Sequence, residues 1–156
     1  MLIDRLLRQA LLIVALGAGV GLAANQLSPR GIPLIAPPET KPSKADFIPL
    51  EEALMLWRRG DVLFLDARAP EDYASGHIGA AVNLPAMEFE QRFPHWAPLL
   101  APNGPLVIYC DGTECDLSRR LLQELQARGF TNGRILSNGW TVWRQAGLPT
   151  ATGEDR

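Results

Sequence analysis

Leu106-Val107-Ile108-Tyr109-Cys110-Asp111-Gly112-Thr113-Glu114-Cys115-Asp116, running on into residues 117–128, is the stretch whose reading decides the fold. Four apolar residues between Pro105 and a glycine-containing turn read as a short buried strand. Leu117, Leu121, Leu122 and Leu125 then recur at helical spacing, with Asp116 placed as N-cap and Gly129 as the stop. Cys110 therefore stands where a strand ends and a tight loop leads into a helix. Backbone N–H groups and the helix dipole converge at such a place and favour a thiolate or an anionic sulfur species. The competing reading makes Cys110 a small buried hydrophobe, the commonest fate of a cysteine outside a disulfide.

Working outward, the flanking segments alternate between the two periodicities. Phe47-Ile48 is a strand candidate, and 49–59 reads as a helix that starts at a proline, carries Ala53, Leu54 and Trp57 on one face and ends at Gly60. The apolar run 62–65 ends in Asp66-Ala67-Arg68 and has the look of a parallel strand covered on both faces. Next come a short acidic helix over 70–75, a turn at Gly76-His77-Ile78-Gly79, and a strand over 81–84. A helix over 87–93 and an irregular connection over 94–105 containing His95 and Trp96 lead into the Cys110 strand. Beyond its helix lie a last strand, Arg134-Ile135-Leu136, and a last helix over 139–146. Strands alternating with helices predict an α/β domain with a small parallel sheet flanked by helices on both faces. Ligands on such sheets bind beyond the carboxyl ends of strands, and Cys110 lies there.

The domain is expected over 46–150, with a tail at 151–156, and two further segments precede it. In 1–27, Ala10 to Ala24 carry no polar side chain, and with Leu6, Leu7 and Leu27 the apolar stretch reaches the ~20 residues of a bilayer span. A transmembrane helix is the favoured reading, with Gly17 and Gly21 at a helix-packing spacing. A signal peptide cut near Gly21-Leu22-Ala23 or Ala24 is the alternative, and a soluble core helix the third. Arg5, Arg8 and the terminal amine point the N-terminus into the cytoplasm, which would make this a single-pass bacterial inner-membrane protein with its domain in the periplasm. Residues 28–45 contain Pro29, Pro33, Pro37, Pro38 and Pro42 and read as an extended spacer. A net charge of −2 gives no footprint for nucleic acid. Two cysteines five positions apart form neither a disulfide framework nor a zinc spacing, so no metal and no cofactor are expected.

Asp66-Ala67-Arg68, Glu71, Tyr73, Gly76-His77-Ile78-Gly79-Ala80, Asn83 and Pro85 resemble the first signature of rhodanese-like domains. Cys110 after its strand resembles that family's active cysteine, and Asn138-Gly139-Trp140, Trp143 and Gly147-Leu148-Pro149 resemble its closing signature. The resemblance covers 46–149 and implies a single-domain sulfurtransferase in which Cys110 carries sulfane sulfur as a persulfide and passes it to a thiol. It implies a substrate loop of Asp111, Gly112, Thr113, Glu114, Cys115 and Asp116 whose amides cradle the sulfur, supported by Asp66, Arg68 and His77. The expected partners are a small sulfur donor or a protein persulfide or thiol, the membrane through the N-terminal helix, and a membrane redox protein.

The loop departs from the family's pattern. Active members often carry glycine three places and arginine five places after the cysteine; here Gly112 comes two after and Cys115 fifth. Asp111, Glu114 and Asp116 oppose thiolate formation and repel thiosulfate, while the helix start favours both. With no cation before Arg119, thiosulfate is expected to be a poor donor and a neutral or protein-bound persulfide a better one. Asp116 stands where a phosphatase or arsenate reductase loop needs arginine. Cys115 is a candidate resolving thiol, which opens a dithiol/disulfide switch as the second reading. A catalytically silent interaction module is the third, and a soft-metal site at Cys110, Cys115 and His77 has weak support because the resemblance does not bring His77 to the loop. Of the remaining residues, His77 is read as a structural hydrogen-bonding histidine and Asp66 with Arg68 as an ion pair ordering the loops. Trp140 and Trp143 are assigned to the core, Trp96 to a pocket wall, and His95 to solvent.

Overall fold

The computed structural model describes residues 2–27, 46–101, 104–112 and 116–154. The chain divides into two units, 1–39 and 40–156. In the first, α1 (Leu2–Leu27) is a single helix, and its stretch Arg5–Leu27 is long and apolar enough to cross a membrane. A signal sequence meets the same length and composition test.

The second unit is an α/β layer structure. Its elements are α2 (Leu50–Arg59), β1 (Leu63–Asp66), α3 (Pro70–Ser75), β2 (His77–Ile78), β3 (Val82–Asn83), α4 (Phe89–Trp96), β4 (Leu106–Tyr109), α5 (Asp116–Ala127), β5 (Gly133–Leu136), α6 (Gly139–Gln145) and β6 (Thr150–Ala151). Four strands form a parallel sheet in the order β3-β1-β4-β5. Phe47 adds a parallel bridge to Ile135 at the outer edge of β5, where the Ile48 N–H donates to the Ile135 carbonyl at 2.9 Å.

Side chains alternate across this sheet, so β4 feeds two cores. Leu106, Ile108 and Cys110 face one of them, with Leu65, Phe89 and Trp96 of α4, and Leu121, Leu122 and Leu125 of α5. Val107 and Tyr109 face the other, with Phe64, Ala53, Tyr73 and Trp143. This pleat puts Cys110 on the α5 side, and α5 returns over it because its leucine stripe has to be buried there. At the opposite face α6 approaches β4 so closely that a Cβ on Gly139 would lie 2.6 Å from the Tyr109 Cβ. Only glycine fits that position.

Three local expectations are corrected. The segment 76–79 is not simply a turn: His77 and Ile78 form β2, paired antiparallel with Ala151 and Thr150 of β6. Two residues of pairing are enough here because Ile78 is fully buried and holds the ribbon against the core. The helix expected to stop at Phe93 continues through Pro94 to Trp96 and passes into a 3-10 turn, Ala97–Leu99. Trp96 is accordingly no pocket wall. It is buried in the α4–α5 core, and that packing outweighs the hydrogen bond that Pro94 cannot donate.

Candidate active site

Two strand ends lie side by side at the carboxyl edge of the sheet. Asp66 closes β1 and is in register with Tyr109, the last residue of β4, and the Ala67 N–H donates to the Tyr109 carbonyl at 2.9 Å. The chain leaving Asp66 enters a buried polar node, and the chain leaving Tyr109 enters the loop at Cys110.

In the node, Arg68 donates through Nη2 and Nε to the Asp66 carboxylate at 2.6 and 3.0 Å, and its backbone N–H reaches Asp66 Oδ1 at 3.0 Å. Its Nη2 also donates to the Gly76 carbonyl at 2.8 Å, and its guanidinium lies 5.0 Å from the Trp140 ring centre. Asn83 Nδ2 donates to the carbonyls of Asp66 and Arg68. Burial pulls the Arg68 guanidinium towards losing its proton, but the Asp66 carboxylate more than offsets this, and the net shift is upward. The ion pair expected from the sequence is present, and Trp140, half-buried, stacks on it.

Tyr109 joins the same node. Its hydroxyl accepts from the Ile78 N–H at 3.1 Å and also bonds to Asp66. Burial, reinforced by the Asp66 charge, pushes its phenol far above the ordinary value, so it stays protonated. His77 is buried, with Nδ1 2.8 Å from the Tyr73 carbonyl and its ring stacked on Tyr73 at 3.7 Å. It supports the β2 ribbon and is not brought to Cys110.

Cys110 is 1% exposed and disulfide-bonded. The chain's other cysteine is Cys115, which with Thr113 and Glu114 lies outside the described residues. Ser118 Oγ, on the first turn of α5, is 3.4 Å from Cys110 Sγ. A narrow cleft of about 10 Å³ opens beside the sulfur, with Phe47 and Ile135 as its apolar wall and Ser118, Arg119, Ser137 and Asn138 as its polar one. That volume is roughly what one water needs.

The acidic groups that the sequence places around the sulfur are partly tied elsewhere. Asp111 Oδ1 accepts from the Thr141 hydroxyl and from the Gly112 N–H. The same Gly112 N–H, at a backbone φ of +89°, also donates to Asn138 Oδ1 at 2.8 Å. Of the loop amides expected to cradle sulfur, Gly112's is thus engaged by side-chain oxygens. Asp116 pairs with Arg119 at 3.3 Å, one turn along the helix.

Sequence reasoning did not assign Ser118, Arg119, Asn138 and Thr141 to the site. Ser118 carried a readable signal, because it lies three, four and seven residues before Leu121, Leu122 and Leu125 and so interrupts an apolar stripe. Asn138 adopts φ +51°, a left-handed conformation that asparagine tolerates better than most residues, and the family's closing signature already contained it. Arg119 and Thr141 have no such mark.

Comparison with known proteins bears on the family and the fold. An HTH-type transcriptional regulator of Mycobacterium tuberculosis is 32% identical over 111 residues, which cover 71% of this chain. The chain spans only about half of that regulator, 47% of its length. Thiosulfate sulfurtransferase 16, chloroplastic, of Arabidopsis thaliana is 26% identical over 99 residues, covering 56% of this chain and 78% of the plant protein. The fold is matched by a human single-domain sulfurtransferase with a TM-score of 0.55 at 23% identity, over 64% of this chain and 96% of that structure. The family model described as the rhodanese-like domain matches residues 50–146, and with 97 of 156 positions inside that match the chain belongs to the rhodanese-like domain family.

Proposed function

We propose that this chain is a membrane-tethered sulfurtransferase in which Cys110 carries sulfane sulfur as a persulfide and hands it to a thiol. The observation that carries the reading is the placement of Cys110: at the end of β4, buried against the first turn of α5, with Ser118 beside its sulfur. Donors on that turn stabilise an anionic sulfur. The Cys110 thiolate attacks the outer sulfur of the donor, a new S–S bond forms, and the donor leaves with the electron pair of its broken bond. An acceptor thiolate then attacks the terminal sulfur and Cys110 leaves as thiolate. In its disulfide form Cys110 first needs two electrons from a dithiol reductant.

That disulfide favours a second reading, a dithiol switch in which the pair Cys110 and Cys115 cycles between oxidised and reduced states. Intact mass of the reduced full-length chain, before and after a persulfide donor, separates the two. A gain of one sulfur that is lost in Cys110→Ser and kept in Cys115→Ser supports the carrier. Loss of two hydrogens requiring both cysteines supports the switch, and no change in any form leaves an interaction module.

For location, the reading makes α1 the anchor, and the charges of Arg5 and Arg8 on its N-terminal flank support a domain in the periplasm of a bacterial cell. Digestion of the domain by protease added to spheroplasts supports this placement, and protection until the membrane is lysed opposes it.

A further inference from the structure

We propose that Met87 is a sulfoxidation site whose product Arg120 holds. A two-electron oxidant such as hydrogen peroxide converts a weak contact between thioether and guanidinium into a hydrogen bond that ties the segment leading into α4 onto α5.

Met87 stands between Ala86 and Phe89, which are 2% and 3% exposed, yet Met87 itself is 70% exposed. The chain around it is closed by two backbone bonds, from the Ala86 N–H to the Ala67 carbonyl at 3.2 Å and from the Glu88 N–H to the Pro85 carbonyl at 3.0 Å. With its backbone anchored on both sides, the thioether stays in solvent, within reach of any small oxidant.

What it touches there is a cation. Arg120 Nη1 lies 3.4 Å from Met87 Sδ, across 33 residues of chain. Arg119 and Arg128, on the same helix, are paired with the carboxylates of Asp116, Glu90 and Glu124. Arg120 has no carboxylate partner among the described residues, and a thioether sulfur is a weak acceptor. A stronger acceptor placed at the sulfur would therefore be bound more tightly than the sulfur is.

Oxidation supplies one. Cys110 is in a disulfide and the chain has no free cysteine, so the exposed thioethers are the sulfur atoms that a mild oxidant meets first. The Met87 sulfur attacks one peroxide oxygen with its lone pair and the O–O bond breaks. The leaving hydroxide takes the proton from the transferred oxygen and departs as water; the sulfur has lost two electrons and the peroxide has gained them. The sulfoxide oxygen then accepts from the Arg120 guanidinium, a charge-assisted bond in place of a weak one. Met55, on α2 and 59% exposed, has no donor at its sulfur among the described residues, and its oxidation gains no such partner.

The test uses the full-length chain in detergent, disulfide intact, in a Met55→Leu background, compared before and after treatment with hydrogen peroxide. Peptide masses should show one oxygen added to Met87. The thermal midpoint should rise by roughly 4 °C, the order of one exposed charge-assisted hydrogen bond in a domain of this size. Met55→Leu/Met87→Leu, treated alike, sets the baseline for oxidation elsewhere. Arg120→Ala should abolish the rise while Met87 is still oxidised, and Arg120→Lys should keep part of it. Each reading is a difference between the oxidised and untreated forms of one variant, so changes in basal stability cancel. An unoxidised Met87 under conditions that oxidise Met55 in wild type, a midpoint that stays or falls on oxidation, or a rise that persists in Arg120→Ala overturns the assignment.

Discussion

Asp66 and Tyr109 are partners in register at the carboxyl edge of the sheet, yet the residues just past them are secured in different ways. Past Asp66, the Arg68 guanidinium is 7% exposed and bonded to a fully buried carboxylate, a backbone carbonyl and an aromatic face. Past Tyr109, Asp111 and Gly112 are held by exposed hydrogen bonds from the Gly112 N–H and the Thr141 hydroxyl, and Cys110 by its disulfide. The first arrangement holds one geometry strongly, because every alternative leaves a charge buried without a partner. The second, over the described residues 110–112, rests on hydrogen bonds that water can replace, beside the Cys110 disulfide.

The largest effect expected from breaking this contrast is on the buried node. Arg68→Met leaves the Asp66 carboxylate buried and unpaired and should lower stability by about 3–5 kcal/mol, measured by urea unfolding of the reduced full-length chain. The double variant Asp66→Leu/Arg68→Met should recover much of that loss, because no uncompensated charge remains. If Arg68→Met proved as stable as wild type, the node would not be the rigid partner in the comparison.

A smaller effect concerns pH. The Tyr109 phenol is raised above its ordinary value of 10.0 by burial and by Asp66. The folded state thus keeps a proton that the unfolded state releases, so this contribution is complete below about pH 10 and declines as pH rises further. The slope is about 1.4 kcal/mol per pH unit for one proton. Unfolding free energies at pH 9, 10 and 11 should fall more steeply for wild type than for Tyr109→Phe. Parallel slopes would show that the phenol is not buried with the node.

How far the sequence exposed these two regions depends on the same contrast. Strand β4, the leucine stripe of α5 and the apolar end of β1 were legible because burial imposes a period, and the pairing of Asp66 with Arg68 was legible because a buried strand end with both charges has few other solutions. Trp96 was misjudged because Pro94 signalled an irregular segment, while the tryptophan's apolar area carried the helix past it. The pairing of His77 and Ile78 with Ala151 and Thr150 was missed because two-residue strands have no period to read. At the cleft, Ser118 was in principle visible, but the orientations of Asp111 and Arg119 were not. Surface hydrogen bonds a few residues long leave no pattern in a chain, and a charge's sign does not tell which way its side chain turns.

The smallest predicted effect isolates that last point. Thr141 donates to Asp111 at an exposed position, so Thr141→Val should change stability by less than about 1 kcal/mol. Its effect on chemistry should be easier to see. Freed of its hydroxyl partner, the Asp111 carboxylate can turn towards the sulfur next to it in sequence, and a nearby negative charge disfavours the thiolate. In the reduced full-length chain, the pH profile of Cys110 alkylation by iodoacetamide, tracked in a Cys115→Ser background, should shift to higher pH in Thr141→Val. Thr141→Ser, which keeps the donor, should leave the profile where it was, and Asp111→Asn added to Thr141→Val should bring it back down. A profile that does not move in Thr141→Val would mean that Asp111 is kept from Cys110 by the Gly112 N–H alone, and that the α6 contact contributes only to holding the loop.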